Sequence, residues 1–235
     1  MPNITLSGIS KTFPGGRVAL SGIDLKIAAG ELLAVLGPSG SGKSTLLRML
    51  AGLVVPTTGT ILFGAIDATH LAPRDRNAAI VFQNQSPYPH LSVLDNLTFS
   101  AEAAGIDRKS ARAAAVDAAN RLGLGDRLRD RPATLSGGQK QRVSLGRVLV
   151  RNPSLILLDE PFSNLDPRLR AALVEDLRML HKTVSATIVL VTHEPREAAR
   201  LADRIAYLEE GRLVNVGSPG DADQFFGDGP PRHVS

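Results

Sequence analysis

One nine-residue stretch limits the fold more than any other. Gly37-Pro38-Ser39-Gly40-Ser41-Gly42-Lys43-Ser44-Thr45 satisfies the pattern G-x-x-x-x-G-K-[ST] at every fixed position. An apolar run, Leu32 to Leu36, precedes it and reads as a buried strand. Leu46 to Ala51 follows with helical composition. Strand, glycine-rich loop and helix form the context in which this pattern carries a mechanism. The glycines let the backbone curl so that its N–H groups converge on an anion. A helix beginning near Gly42 adds the positive end of its dipole. Lys43 reaches terminal phosphates as a point charge, and Ser44 offers a hydroxyl to Mg²⁺. The competing reading, a glycine-rich turn that binds nothing, leaves the flanking strand and helix unexplained. The loop alone does not separate kinase, GTPase, motor and transporter.

At 235 residues the chain is one large domain, or one domain with a subdomain. Hydrophobic residues make up 43% of it and aromatics only 4%, which fits an aliphatic α/β core. Lys and Arg outnumber Asp and Glu by 27 to 23, a scattered excess that gives no nucleic-acid signal. Cysteine is absent, which excludes disulfides and thiolate metal sites and agrees with a reducing compartment. No signal peptide is evident, and no apolar run approaches the ~18 residues of a membrane helix. Any membrane role is therefore expected to come through a partner.

Alternation predicts strands over Asn3–Gly8 and Val18–Ile27, with turns at Lys11–Gly16 and Ala28–Gly30. Phe13 is a lone aromatic in an exposed turn, either a base-stacking ring or cover for a sheet edge. After the first helix come a turn at Pro56–Gly59 and strands at Thr60–Phe63 and Ala79–Phe82. The latter ends at Gln83, whose amide could ligate Mg²⁺, hold a water or cap a loop. Residues 84–152 change character, with helices expected over Val93–Ala104, Arg108–Leu122 and Gln139–Val150 and no strand pattern. This reads as a helical subdomain inserted into a core formed by 1–83 and 153–226.

Inside it lies Leu135-Ser136-Gly137-Gly138-Gln139, with Ser136 a good N-cap and two glycines opening a helix. This is either a plain helix start or a second anion cradle. One nucleotide needs one cradle, so two imply two sites or one site shared by two copies. Leu155–Leu158 is a buried strand ending in Asp159-Glu160, at the sheet edge where ligands bind. Asp159 suits Mg²⁺ beside Ser44, and Glu160 can polarise a water as general base; a salt bridge is the weaker alternative. Ser163–Pro167 turns into a helix with an apolar stripe of Leu169, Leu173, Leu177 and Leu180. Thr187–Val191 is a strand ending near His193, which can donate to a γ-phosphate or a water. Arg204–Leu208 and Leu213–Val216 read as strands, Ser218–Phe226 as a last helix and Gly227–Ser235 as a tail.

Together these elements resemble the nucleotide-binding subunit of ABC transporters. Gly37–Thr45 matches its Walker A motif, Gln83 its Q-loop glutamine and Leu135–Gln139 its signature. Leu155–Glu160 matches Walker B with the catalytic glutamate, Ser163–Asp166 resembles the D-loop, and His193 the switch histidine. Phe13 falls where the family places its base-stacking aromatic. The resemblance spans about residues 3 to 220. It implies an α/β P-loop NTPase core with a mostly parallel central sheet, an antiparallel β part and an inserted helical subdomain. It also implies ATP and Mg²⁺ as ligands, with catalytic roles for Lys43, Glu160 and His193. Ser44, Gln83 and Asp159 would be metal contacts, and Leu135–Gln139 with Asp166 would face a partner copy's site.

Phe82-Gln83-Asn84, Tyr88–Val93 and Leu145-Gly146-Arg147 look most like carbohydrate-type importer ATPases, with polyamine, iron and sulfate importers close. Many carbohydrate-type members carry a C-terminal regulatory domain, and a member without one is expected here. The resemblance implies a head-to-tail homodimer, peripheral at the cytoplasmic membrane face, driving permease subunits and indirectly a solute-binding protein. Tyr88 and Leu91 would be permease contacts. An exporter ATPase and a soluble ABC ATPase acting on nucleic acid or ribosomes are the alternatives. The soluble type usually shows a coiled-coil insertion or two fused domains, neither of which is visible. A kinase or GTPase would leave 135–139 unexplained, and the guanine motif N-K-x-D is missing.

Overall fold

The computed structural model describes residues 2–82, 86–163 and 165–221. Among the described residues ten strands are present: β1 (Ile4–Thr12), β2 (Val18–Ile27), β3 (Leu32–Leu36), β4 (Thr58–Phe63), β5 (Ile66–Asp67), β6 (Ala78–Val81), β7 (Leu155–Asp159), β8 (Thr187–Val191), β9 (Arg204–Glu209) and β10 (Arg212–Gly217). Six α-helices among the same residues join them: α1 (Lys43–Leu50), α2 (Val93–Glu102), α3 (Arg108–Arg121), α4 (Gly137–Leu149), α5 (Pro167–His181) and α6 (Pro195–Leu201).

Two sheets result. The first is antiparallel, in the order β2-β1-β4-β5. The second runs β10-β9-β3-β8-β7-β6, parallel from β9 to β6, with β10 antiparallel at its edge. β3, β7 and β8 are buried at every position. That explains their unbroken apolar sequences, because a parallel strand covered on both faces cannot alternate. The parallel sheet separates two apolar clusters. On one face, Leu33, Val35 and Leu157 pack with α1 and the antiparallel sheet. On the other, Leu32, Ile156 and Leu158 share one cluster with α2–α4, α5 and α6. The three helices between 86 and 152 thus have no interior separate from the sheet, and among the described residues that segment holds no strand.

Several expectations are corrected. β1 continues to Thr12 and β4 starts at Thr58, because each has a partner strand to that point. β5 and α6 have no counterpart in the sequence reading. β5 is two residues long, and α6 is short, with only Glu197, Ala198 and Leu201 buried. α4 starts at Gly137 because Ser136 caps it there. In α5, Leu173, Val174, Leu177 and Leu180 form the buried stripe, and Leu169 is only half-buried. The expected helix Ser218–Phe226 is a single 3-10 turn at Pro219–Asp221 as far as the described residues extend. Gln83, Asn164 and residues beyond 221 lie outside them. Among the described residues no helix is long and apolar enough to cross a membrane.

Arg76 fastens α1 to the rest. Its side chain is almost fully buried, and it donates from Nη1 to the carbonyls of Met49 (2.6 Å) and Leu50 (3.2 Å). Nε donates to Leu71 O (3.0 Å) and Nη2 to Thr69 O (3.4 Å). The guanidinium thus satisfies carbonyls at the C-terminal end of α1 and sits at the negative end of its dipole.

Candidate functional site

The loop after β3 is shaped by its glycines. Gly37, Gly40 and Gly42 have φ of 152°, 80° and 105°. A Cβ on Gly37 would lie 1.9 Å from Leu208 O, and one on Gly42 would lie 2.4 Å from Ala19 O. Neither position tolerates a side chain, so the curl is enforced by close approach of neighbouring backbone. Lys43 is buried, and its Nζ donates to Gly37 O and Pro38 O at 2.8 Å each. Burial pushes its pKa down, opposed by Glu160 and Asp159. Ser41 Oγ is buried and makes no hydrogen bond. A loop with an orphaned hydroxyl and a tethered ammonium fits an incoming phosphate chain.

The end of β7 supplies the acids. Ser44 Oγ donates to Asp159 Oδ1 at 3.0 Å, so the two proposed metal contacts, 115 positions apart, stand side by side. A hydroxyl beside a carboxylate is a donor set for a hard cation that completes its shell with water and phosphate oxygens. Glu160 follows with φ of 47°, which turns the chain out of the sheet. Such a backbone costs a non-glycine residue on the order of 1–3 kcal/mol and marks functional sites. Its amide donates to Val191 O (3.0 Å), and its Oε2 lies 3.4 Å from Nδ1 of the exposed His193.

Lys43, Ser44 and Glu160 face a cavity of about 200 Å³ lined also by Arg17, Val18, Ser39 and Thr45; Asp159 and His193 are not among its lining residues. Arg17 and Val18 escaped the sequence reading, since the start of a strand carries no binding pattern. Arg17 Cζ stands 5.2 Å and Lys11 Nζ 5.3 Å from the centre of the Phe13 ring; of these three residues Arg17 alone lines the cavity. No residue of 135–139 lines the cavity. Ser136 is exposed at the start of α4, where its Oγ accepts from Gln139 N and Gln139 Oε1 accepts from Ser136 N. Asp166 caps α5, accepting from the amides of Arg168 and Leu169. A larger cavity of about 440 Å³ lies at the other ends of the strands, beside Pro153 and Ile156, away from these groups.

Burial also pushes the Asp159 carboxyl up, countered by the Ser44 hydrogen bond and by Arg48, with Glu160 adding to the rise. A carboxyl with a higher pKa folded than unfolded holds its proton more tightly in the native state. Its ionisation opposes folding, by nothing below the ordinary carboxylate pKa and fully above the raised one. Asp159→Asn in nucleotide-free protein therefore raises the unfolding midpoint at neutral pH, by about 2–4 °C for each kcal/mol relieved. The gain disappears as the pH falls below the ordinary carboxylate range. Thermal unfolding at both pH values checks it; an equal gain at both would mean that charge is not the cause.

The model of the family described as "ABC transporter" matches residues 20–163. The chain belongs to the ABC transporter family. Two relatives of this ABC chain are ATP-binding proteins of uptake systems. The diacetylchitobiose uptake system ATP-binding protein MsiK of Streptomyces coelicolor is 45% identical over 220 residues, covering 93% of this chain. The sn-glycerol-3-phosphate import ATP-binding protein UgpC of Rhodopseudomonas palustris is 43% identical over 221 residues, covering 94%. The ABC chain spans only 58% and 61% of their respective lengths. Among solved structures, cbiO1 from Clostridium perfringens, part of the ABC transporter complex cbiONQ, matches with a TM-score of 0.86 and 30% identity, covering 96% of this chain and 90% of that one. A dimeric ATP-binding cassette in a post-hydrolysis state with ADP and Pi matches with a TM-score of 0.76 and 30% identity, covering 92% and 98%. The α/β P-loop fold is shared with these cassettes.

Proposed function

We propose that this chain binds and hydrolyses ATP as one of two facing copies and powers an importer at the cytoplasmic face of the membrane. The solute would be a carbohydrate or similar small polar molecule. The observation that carries the reading is the separation of the two cradles. Lys43 lies in a small cavity that includes nothing from 135–139, while Ser136 stands exposed on a capped helix. A head-to-tail pair would bring one copy's Ser136–Gln139 against the nucleotide in the other, a two-fold contact. The names of the relatives support import, and the dimeric cassette supports pairing.

The roles follow from position. The amides of Gly37–Thr45 and the Lys43 ammonium would hold the phosphates. Phe13, with Arg17 beside it, would cover the base. Glu160 would accept a proton from the attacking water, and His193, 3.4 Å away, would orient that water or the γ-phosphate. Ser44 and Asp159, with Gln83, would hold Mg²⁺, which when bound draws charge from the transferring phosphoryl group. The exposed Gly137 and Asp166 would line the facing surface, with the buried Leu135 and Gly138 supporting it from beneath. Residues 1–83 and 153–226 would form the core, 84–152 the helical subdomain and 227–235 a tail. Tyr88 and Leu91 would meet the permease, which the solute-binding protein serves in turn; no nucleic acid is expected as a partner.

The test mixes two defective chains. Lys43→Ala removes one cradle and Ser136→Arg blocks the other, and each variant alone stays monomeric with Mg-ATP. Mixed, they form a heterodimer with one intact site, seen as a size-exclusion shift. Monomers in the mixture, with wild type dimerising normally, would end the shared-site reading.

A further inference from the structure

Behind Glu160 and His193 a set of contacts closes into a ring. Thr192 follows β8 and is buried. Its hydroxyl donates to Glu197 Oε2 at 2.6 Å and accepts from Glu194 N at 3.1 Å. The turn that presents His193 is therefore tied down on both sides. Glu197 lies in the first turn of α6, and its side chain is 8% exposed. Its other oxygen, Oε1, faces Arg170 Nε at 3.6 Å. Arg170 lies in the first turns of α5, and its Nη2 donates to Leu165 O at 3.2 Å. Leu165 N donates to Phe162 O, and Ser163 N to Glu160 O. The path from Glu160 through Leu165, Arg170, Glu197 and Thr192 returns to His193, which faces Glu160.

The link between Arg170 and Glu197 is the loose one. Nε of Arg170 is buried but forms no hydrogen bond. A cleft of about 260 Å³ between α5 and α6 leaves this side chain room to move. A buried acid facing a cation is kept at a desolvation cost, so its presence asks for a purpose beyond stability.

We propose that Arg170 and Glu197 are positioning residues that hold the His193 turn against the Leu165 backbone and so set the distance between His193 and Glu160. The inference rests on the ATPase reading above. A sub-ångström drift of His193 would weaken the transition state more than ground-state ATP binding, whose contacts lie on the Gly37–Thr45 loop.

The test measures Mg-ATP hydrolysis by the purified chain. Glu197→Gln and Arg170→Met each lower kcat about ten-fold, with KM for ATP changed less than about two-fold. The double variant is no slower than either single one, because both break one link. Arg170→Lys, which keeps the cation, recovers most of the rate. The ring resonance of His193, assigned by its loss in His193→Gln, shifts in Arg170→Met and not in the control Asp117→Asn. If Glu197→Gln fails to fold, Arg170→Met carries the test, since that side chain is partly exposed. Wild-type kcat in Arg170→Met, additive losses in the double variant, or an unmoved His193 resonance would overturn the inference and leave the ATPase reading standing. A wild-type chain that does not hydrolyse ATP would overturn both.

Discussion

Glu160→Gln lowers ATP turnover by about 10²–10³-fold and leaves ATP bound between two chains. The size of the loss follows from general-base catalysis, which contributes roughly 10²–10⁴-fold. The amide keeps the volume of the carboxylate but cannot take a proton from water. Binding survives because the groups proposed to hold the phosphates, Lys43 and the loop amides, belong to a different element. It also improves, because Glu160 and Asp159 sit next to each other as like charges at the end of β7, and a triphosphate brings more of the same sign. Removing one of the two negative charges favours the loaded state. The measurement is single-turnover hydrolysis together with size-exclusion of the variant in Mg-ATP. Turnover at the wild-type rate would place the base elsewhere and leave Glu160's strained backbone without a catalytic reason.

The second large effect is on stability. Arg76→Met removes the donor that serves the carbonyls of Met49, Leu50, Leu71 and Thr69. Methionine fills much of the space, so the loss is chiefly electrostatic. Each carbonyl left buried without a partner costs about 1–3 kcal/mol, and not all four are stranded, because water or the backbone recovers some. A net loss of about 3 kcal/mol is expected, a fall in unfolding midpoint of roughly 6–12 °C for a chain of this size. The phosphate loop lies at the other end of α1, so ATP affinity of the folded fraction changes little. Calorimetry and nucleotide titration of the same preparation separate the two. A midpoint within about 2 °C of wild type would mean the guanidinium gains no more from these carbonyls than it loses by burial.

What the sequence reveals about this site depends on how local each piece is. Gly37–Thr45 is legible because loop, charge and helix start lie within nine consecutive residues. Asp159 and Glu160 are legible because a four-residue apolar run must end where the carboxylates begin. Arg76 is not, since Arg74-Asp75-Arg76-Asn77 reads as surface and the carbonyls it serves belong to other elements. The Arg170–Glu197 link is equally hidden, as its partners come from α5, α6 and the end of β8. α6 is hidden for a related reason. Seven residues opening on Pro195 show too little apolar period to stand out from a loop. Ser136 is the intermediate case: its capping role is written in Ser136–Gln139, but the facing copy proposed above is not.

The way α2, α3 and α4 are packed has one more consequence. Val93, Leu97, Ala115 and Val143 lie in the same apolar mass as Ile156, Leu158 and Leu173. A peptide cut at 86 and 152 would present that face to water, so it is not a module that could be grafted onto another protein. For the same reason, any swing of Ser136 toward a neighbour is a glide of greasy surfaces over one another rather than the opening of a hinge. If the shared site proposed above forms, side-chain volume along that seam, more than any single polar contact, would govern how far Ser136 travels.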